Sequence, residues 1–544
     1  MKKILSVLFA VLLLLTSAIP AFGADLYTNT SDTPIVYFLG KVGTIVNGEG
    51  KVIHPIEDMP DDYIMNAVKE CLPYLFDAMA GGDWATYREK VLSFVEPLYT
   101  ELRLDGNGDP QFGSNIGNSK TSNRSFRWDS ATVTKNIKAK KGKYKMNSCE
   151  YCMDWRLDPY EIADDFHAFV QTVKAAAGVD KIDAVFRCEA CSVLGAYFEK
   201  YGYEDFNCIE LYVSCLGGID LIGAFFGGNL KFDAASLTRF LDSYEENLQN
   251  GIGNDAITEF IYDTLYLLKD TYALDAIAMM LQPVASKLYK EVIAPCVLAS
   301  YGTFPGIWSL VPAEDYANAK KNIFKGVEDE YAGLIAKLDY YQDHVNTKYI
   351  DLIKGAKDAG VKTAVYAKYG EFTAIPISKA NNEVTDGIVT LTRSSFGATT
   401  PAYDKLLDAK YLANAEANGT AKYISPDKKV DASTALFPDT TWIICNNYHD
   451  VFSDQLSDRL MMRFFMADGE LTVFDDPEIP QYLSCEGYTD FTVLTEDDGF
   501  KTELRDTTVN GTKKSVKQQV IDFVNSLLRM LAKLLSMFLN GELF

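Results

Sequence analysis

The residues whose types and spacing could do chemistry begin at 186–192, Phe-Arg-Cys-Glu-Ala-Cys-Ser. The run 182–186 (IDAVF) reads as a strand and the residues from Ala190 to Gly202 as a helix, so Cys188 falls on a sharp strand-to-helix turn. A thiolate is strongly nucleophilic, and the start of a helix beside a histidine lowers a thiol's pKa. Activating it calls for a base, and the chain offers His54, His167, His344 and His449. His449 follows TWIICNNY directly, which puts it in a loop at the carboxyl end of a strand. Ligands and catalytic groups of open α/β sheets collect at that edge. Asp386, in VTDGIV, lies in another post-strand loop, where its carboxylate can accept an imidazole N–H, fix the tautomer and stabilise the imidazolium. Nucleophile, acid and base then follow in the order Cys188, Asp386, His449.

Plainer readings exist for each of them. A lone loop histidine is often a surface residue, Asp-Gly is a turn signal, and Cys188 also reads as a small buried residue. Ser192 is a second candidate nucleophile, at the cost of a strand four residues longer. The cysteines also spell Cys149-x-x-Cys152 and Cys188-x-x-Cys191, a pattern open to a zinc site or to a redox disulfide silencing Cys188.

Positioning these residues takes a sheet. Segments 34–39, 182–186, 207–213, 361–367 and 440–445 are short runs of β-branched and aromatic residues bounded by Gly, Asp or Asn, as buried parallel strands are. Residues 158–177 open with Asp-Pro and carry Ile162, Phe166, Val170 and Val173 on one helical face. Strand and helix alternate, which predicts an α/β fold with a mostly parallel central sheet. Two intervals interrupt the rhythm. Residues 60–148 hold helices at 64–79 and 86–103 and then a polar loop, and 232–350 read as a helical cap. In the loop, Asp105-Gly-Asn107-Gly-Asp109 has Pro110 and Ile116 where a calcium loop needs Gly and Glu, so it reads as a turn.

Lys2-Lys3, the apolar run 4–15 and Ala21-Phe22-Gly23 predict a secretory leader cut near Gly23. The expected organisation is therefore a leader at 1–23, a first core part at 24–231, a cap at 232–350, a second core part at 351–505 and a C-terminal helix at 506–544. That helix is amphipathic and locally basic over 513–539, suited to an anionic membrane surface or to packing on its own domain or another chain. The net charge of −23, about −25 once Lys2 and Lys3 are lost, repels nucleic-acid phosphates. Hydrophobic content of 48% with 31 Phe and 32 Tyr implies a folded globular protein. Ten cysteines permit disulfides in an exported chain, with the pairing undetermined.

Seven segments in series resemble the lecithin:cholesterol acyltransferase / phospholipid:diacylglycerol acyltransferase branch of the α/β-hydrolase lipases. They are PIVYFLG, DWRLDP, VFRCEACSVLGAYFEKYG, SCLGGIDLIGAFFGG, FPGIWSLVP, VTDGIVTLTRSS and TWIICNNYHDVFSD. The resemblance implies an α/β-hydrolase fold with Cys188 at the nucleophile, Asp386 at the acid and His449 at the base. It implies oxyanion donors at the backbone N–H of Glu189 and of Lys41 or Val42. The family elbow has glycine two residues before the nucleophile, and Phe186 stands there. A bulky residue at that place implies either a relaxed turn or a side chain swung into the cap. The expected function is a secreted acyl-ester hydrolase or acyltransferase working through a thioester on an ester or lipid-like substrate, with no cofactor and no nucleic-acid partner. The alternative is an inactive α/β-hydrolase that binds lipid or protein.

Overall fold

The computed structural model describes residues 29–40, 44–54, 63–116, 127–133, 142–231, 282, 284–371, 382–450, 460–467, 469–485 and 491–497. The expected leader at 1–23, residues 232–281 of the expected cap and the expected 506–544 helix lie outside the described residues, as do Lys41 and Val42.

In chain order the strands are β1 (Asn29–Phe38), β2 (Ile45–Val46), β3 (Val52–His54), β4 (Asn115–Ile116), β5 (Arg127–Val133) and β6 (Gly142–Glu150). Then come β7 (Ile182–Arg187), β8 (Phe206–Tyr212), β9 (Lys362–Tyr369), β10 (Thr441–Cys445), β11 (Tyr482–Ser484) and β12 (Thr492–Val493). Nine of them form one sheet in the order β12-β11-β10-β9-β8-β7-β1-β6-β5. Every neighbouring pair from β11 across to β6 is parallel, and only the edge strands β12 and β5 run the other way. The mostly parallel α/β fold expected from the alternating runs is therefore present. β1 sits inside the sheet, with β6 on one side and β7 on the other. The order reverses there, and a crevice at the carboxyl ends of the strands follows from that reversal.

The main helices are α1 (Tyr63–Gly81), α2 (Trp84–Tyr99), α3 (Pro159–Ala177), α4 (Ala190–Tyr201), α5 (Asp220–Gly227), α6 (Ala313–Ile323), α7 (Ala332–Tyr341) and α8 (Tyr349–Asp358). Sequence chemistry sets their ends. Asp158 caps α3 by accepting the Tyr160 N–H, Pro159 opens it, and Gly178 closes it at φ +69. The stripe Ile162, Phe166, Val170 and Val173 is buried as its spacing predicts. α8, which spans the boundary between the expected cap and the second core part, packs on α4 and β9.

Two local expectations change. Past the polar loop, β5 and β6, outside the five segments expected as strands, pair as the antiparallel edge of the sheet. The other correction concerns Phe186. It is fully buried among Phe38, Phe166 and Phe206, at ring-centroid distances of 5.9, 5.8 and 6.0 Å. Its side chain neither relaxes the turn nor enters a cap. It leaves the strand on the side of α3 and fills the aromatic core.

The segment 154–156 is tied down by a buried ion pair. Arg156 is wholly buried and meets Asp154 through Nε–Oδ1 at 2.9 Å and Nη2–Oδ2 at 2.7 Å. Its Nη1 also donates to the Leu102 carbonyl and to Ser114 Oγ, each at 2.8 Å. Gly306 of the 304–312 segment lies so close to Trp155 that a Cβ would sit 2.0 Å from the Trp155 carbonyl oxygen, so only glycine fits.

Arg156→Ala should lower the unfolding free energy by about 3–5 kcal/mol, because it strands the Asp154 carboxylate in the interior. Chemical denaturation measures this, and a loss below about 1 kcal/mol would mean that the pair holds nothing.

Candidate active site

The carboxyl ends of four adjacent strands share one backbone feature. The residues directly after β7, β8, β9 and β10 are Cys188, Val213, Gly370 and Asn446, with φ of +50, +44, +107 and +56. A left-handed conformation is uncommon for a non-glycine residue and costly for a β-branched one such as Val213. Such strain gathers at active sites, where surrounding structure over-determines it. At Cys188 the surroundings are two hydrogen bonds. Its N–H donates to the Tyr212 carbonyl of β8 at 3.0 Å, and its carbonyl accepts the Cys191 N–H at 3.0 Å. Sheet and helix together hold the turn, and the side chain is thrust out between them.

Three residues far apart in the chain meet at this point. His449 Nε2 lies 3.1 Å from Cys188 Sγ, and His449 Nδ1 lies 2.8 Å from Asp386 Oδ2. The other carboxylate oxygen, Oδ1, accepts the backbone N–H of Ile388 at 3.0 Å and of Val389 at 2.8 Å. The His449 N–H donates to the Asp386 carbonyl at 3.0 Å, fastening the two loops to each other. Cys188 is 5% exposed, His449 1% and Asp386 0%. The expected Cys188, Asp386 and His449 are thus brought together in the expected order.

Their charges follow from the contacts. The Cys188 thiol is held well below its ordinary range by the Cys215 thiol beside it, and then by His449 and Arg187, against the effect of burial. Burial opposes charge on His449, but the Asp386 carboxylate and the Cys188 thiolate outweigh it and raise its pKa to about 10. For Asp386 too burial is outweighed, by His449 and the two backbone N–H groups, so its carboxyl sits below its usual range. These shifts all favour a thiolate–imidazolium pair backed by a carboxylate.

Glu189 stands at the head of α4, beside Gly40. A Cβ on Gly40 would come within 3.1 Å of Glu189 Cγ and 3.2 Å of the Arg187 carbonyl oxygen, so the β1 loop closes tightly on the elbow only with glycine. The Glu189 carboxyl is itself buried, and Oε1 has no hydrogen-bond partner among the described residues. Burial, and then the neighbouring thiolate, push its pKa well up, which keeps it neutral.

The other candidates lie elsewhere. Ser192 Oγ donates to the Glu189 carbonyl at 2.6 Å inside α4. His54 packs on Trp155 at 5.3 Å, and burial lowers its pKa to about 4. His167 meets the Tyr197 hydroxyl at 2.9 Å, and His344 stacks on Tyr340 at 4.1 Å. None of the ten cysteines is in a disulfide, and among the described residues no group of three or more His, Cys, Asp or Glu side chains could hold a metal ion. The four cysteines of the paired Cys-x-x-Cys pattern do not gather into such a group.

Three supporting residues escape the sequence reading. Lys368, fully buried near the end of β9, donates from Nζ to the carbonyls of Tyr448 at 2.9 Å and His449 at 3.3 Å. Burial pulls its pKa down to about 7. Arg187 pairs with Asp450 at 2.7 Å, tying elbow to histidine loop. Cys215 Sγ faces Cys188 Sγ at 3.8 Å. The one legible signal is Lys368, a lone charge within the apolar strand VYAKYG.

Compared with protein-family models, with curated proteins and with solved structures, the chain has no significant match.

Alkylation of Cys188 by iodoacetamide should keep its full rate well below the ordinary thiol titration near about 8.5. It should fall only when acid protonates the depressed thiolate. In His449→Ala the midpoint should move upward. Coincident profiles for the two proteins would contradict the ion pair.

Proposed function

We propose that the chain is a cysteine-dependent α/β-hydrolase that cleaves or transfers acyl groups from esters. The observation that carries this reading is the buried series Cys188 Sγ, His449 and Asp386, joined at 3.1 and 2.8 Å across loops from β7, β10 and the segment after β9. The strained elbow at Cys188 and its place at the switch point of a parallel sheet support it.

The Cys188 thiolate attacks the ester carbonyl carbon, forming a C–S bond while the carbonyl electrons move onto oxygen. That oxyanion faces the Glu189 N–H at the start of α4, where the helix dipole favours negative charge. Collapse expels the alkoxide, which takes the proton from His449 Nε2 and leaves as alcohol. A thioester remains. Water, or an acceptor alcohol, then gives a proton to His449 and attacks the thioester, and the thiolate departs. Asp386 keeps Nδ1 protonated throughout, so Nε2 is the atom that exchanges the proton. The leader at 1–23 supports export, and the basic amphipathic stripe over 513–539 supports contact with an anionic lipid surface and a lipid-like acyl group.

Short p-nitrophenyl esters test the reading. Under reducing conditions Cys188→Ala should abolish turnover and labelling by a thiol-directed acyl probe, and equal behaviour of wild type and variant would end the proposal. Asp386→Asn should cost on the order of 10⁴-fold in kcat through the wrong tautomer. The pH profile of kcat/KM has a defined sign. It should be flat from below the ordinary thiol range, where Cys188 is already ionised, and should fall as pH rises through about 10 and His449 loses its proton.

A further inference from the structure

Cys215 forms no bond in the acyl-transfer cycle, yet its Sγ lies 3.8 Å from the nucleophilic Sγ. It occupies the loop just past β8, two residues beyond the strained Val213, and is completely buried. Both thiols are free. A disulfide holds its sulfurs about 2.05 Å apart, so closure asks for an approach of somewhat under about 2 Å. The Cys188-x-x-Cys191 spacing makes Cys191 the obvious partner in sequence, but the structure turns Cys191 away. Its Sγ–H points at the Phe186 carbonyl at 3.5 Å, inside the first turn of α4.

We propose that Cys188 and Cys215 form a reversible redox pair, in which Cys215 resolves an oxidised nucleophile to a disulfide. The oxidant class is a peroxide. The Cys188 thiolate attacks one peroxide oxygen, the O–O bond breaks, and the product is a Cys188 sulfenic acid and hydroxide, which a solvent proton converts to water. The Cys215 sulfur then attacks the sulfenic sulfur. An S–S bond forms, the S–O bond breaks, and the departing hydroxide takes the Cys215 proton as a second water. Two thiols have lost two electrons in all, and one peroxide has been reduced to two waters. The division of labour suits the chemistry: the ionised thiol meets the oxidant, and the protonated one beside it waits to resolve. Acyl transfer stops while the bond is closed and returns with a thiol reductant. That consequence rests on the proposed function, whereas the disulfide itself does not.

The test treats the full chain with hydrogen peroxide, alkylates the remaining thiols and maps the peptides by mass. Wild type should lose two hydrogens, yield a peptide pair linking Cys188 to Cys215, and recover both thiols and esterase activity with dithiothreitol. In Cys215→Ser, peroxide should carry Cys188 on to sulfinic and sulfonic acids, with activity lost irreversibly. Cys191→Ser should still form the linked pair. A link from Cys188 to Cys191, or over-oxidation of wild type as fast as Cys215→Ser, would overturn the proposal. The linked peptide is read in wild type, so poor folding of a variant leaves the test intact. Mass alone reads the bond, so a disulfide found in a protein without esterase activity would refute the hydrolase reading and not this one.

Discussion

The site depends on the backbone at residue 188. A β-strand continued in its own geometry would carry Cys188 past the sheet edge, and an ordinary helical φ would fold it back onto α4. At φ +50 the side chain is instead presented outward to the histidine loop. A conformation of this kind costs on the order of 1–3 kcal/mol. The Tyr212 carbonyl on one side and the first turn of α4 on the other leave the residue no alternative. β7 in turn is immobilised by β1 and β8, both parallel to it and both buried. Strain at one residue is thus sustained by the packing of the whole sheet.

Burial then makes the charges interdependent. A thiolate and an imidazolium removed from water are each expensive, and their attraction offsets the cost only with good geometry and satisfied neighbours. Asp386 answers the imidazolium and is itself answered by two backbone N–H groups. Lys368 fixes the carbonyls of Tyr448 and His449, so the ring is aimed by the backbone below it as well as by its partner. The neutral Glu189 carboxyl avoids adding a second anion beside the thiolate. Removing one member leaves another as an uncompensated buried charge.

Much of this was legible in the residues because the parallel sheet is assembled from local signals. The apolar runs, the Asp-Pro start of α3 and the post-strand loops each declare themselves within a few residues. Cys188, Asp386 and His449 could be ordered along the chain for the same reason. What stayed hidden depends on direction. Phe186 looked incompatible with a tight elbow because a list of residues carries no side-chain vector, and in the fold it points to Phe166 and away from the turn. β5 was missed because an edge strand is paired on one side only and need not carry a buried apolar run. Cys215 was invisible because its neighbour in space lies 27 positions away.

A thiol at this position changes more than the name of the nucleophile. A serine hydroxyl waits as a neutral group and is deprotonated only during attack. At Cys188 the neighbouring Cys215 and His449 favour the ionised thiol already in the ground state. The return is a nucleophile that needs no proton transfer before attack. The cost is exposure to oxidants, which find the same thiolate that the proposed ester substrate would meet. A second thiol 3.8 Å away meets that liability at its source. The loop after β8 that carries Cys215 packs at the elbow, so the strand arrangement that aims the nucleophile also delivers its protector.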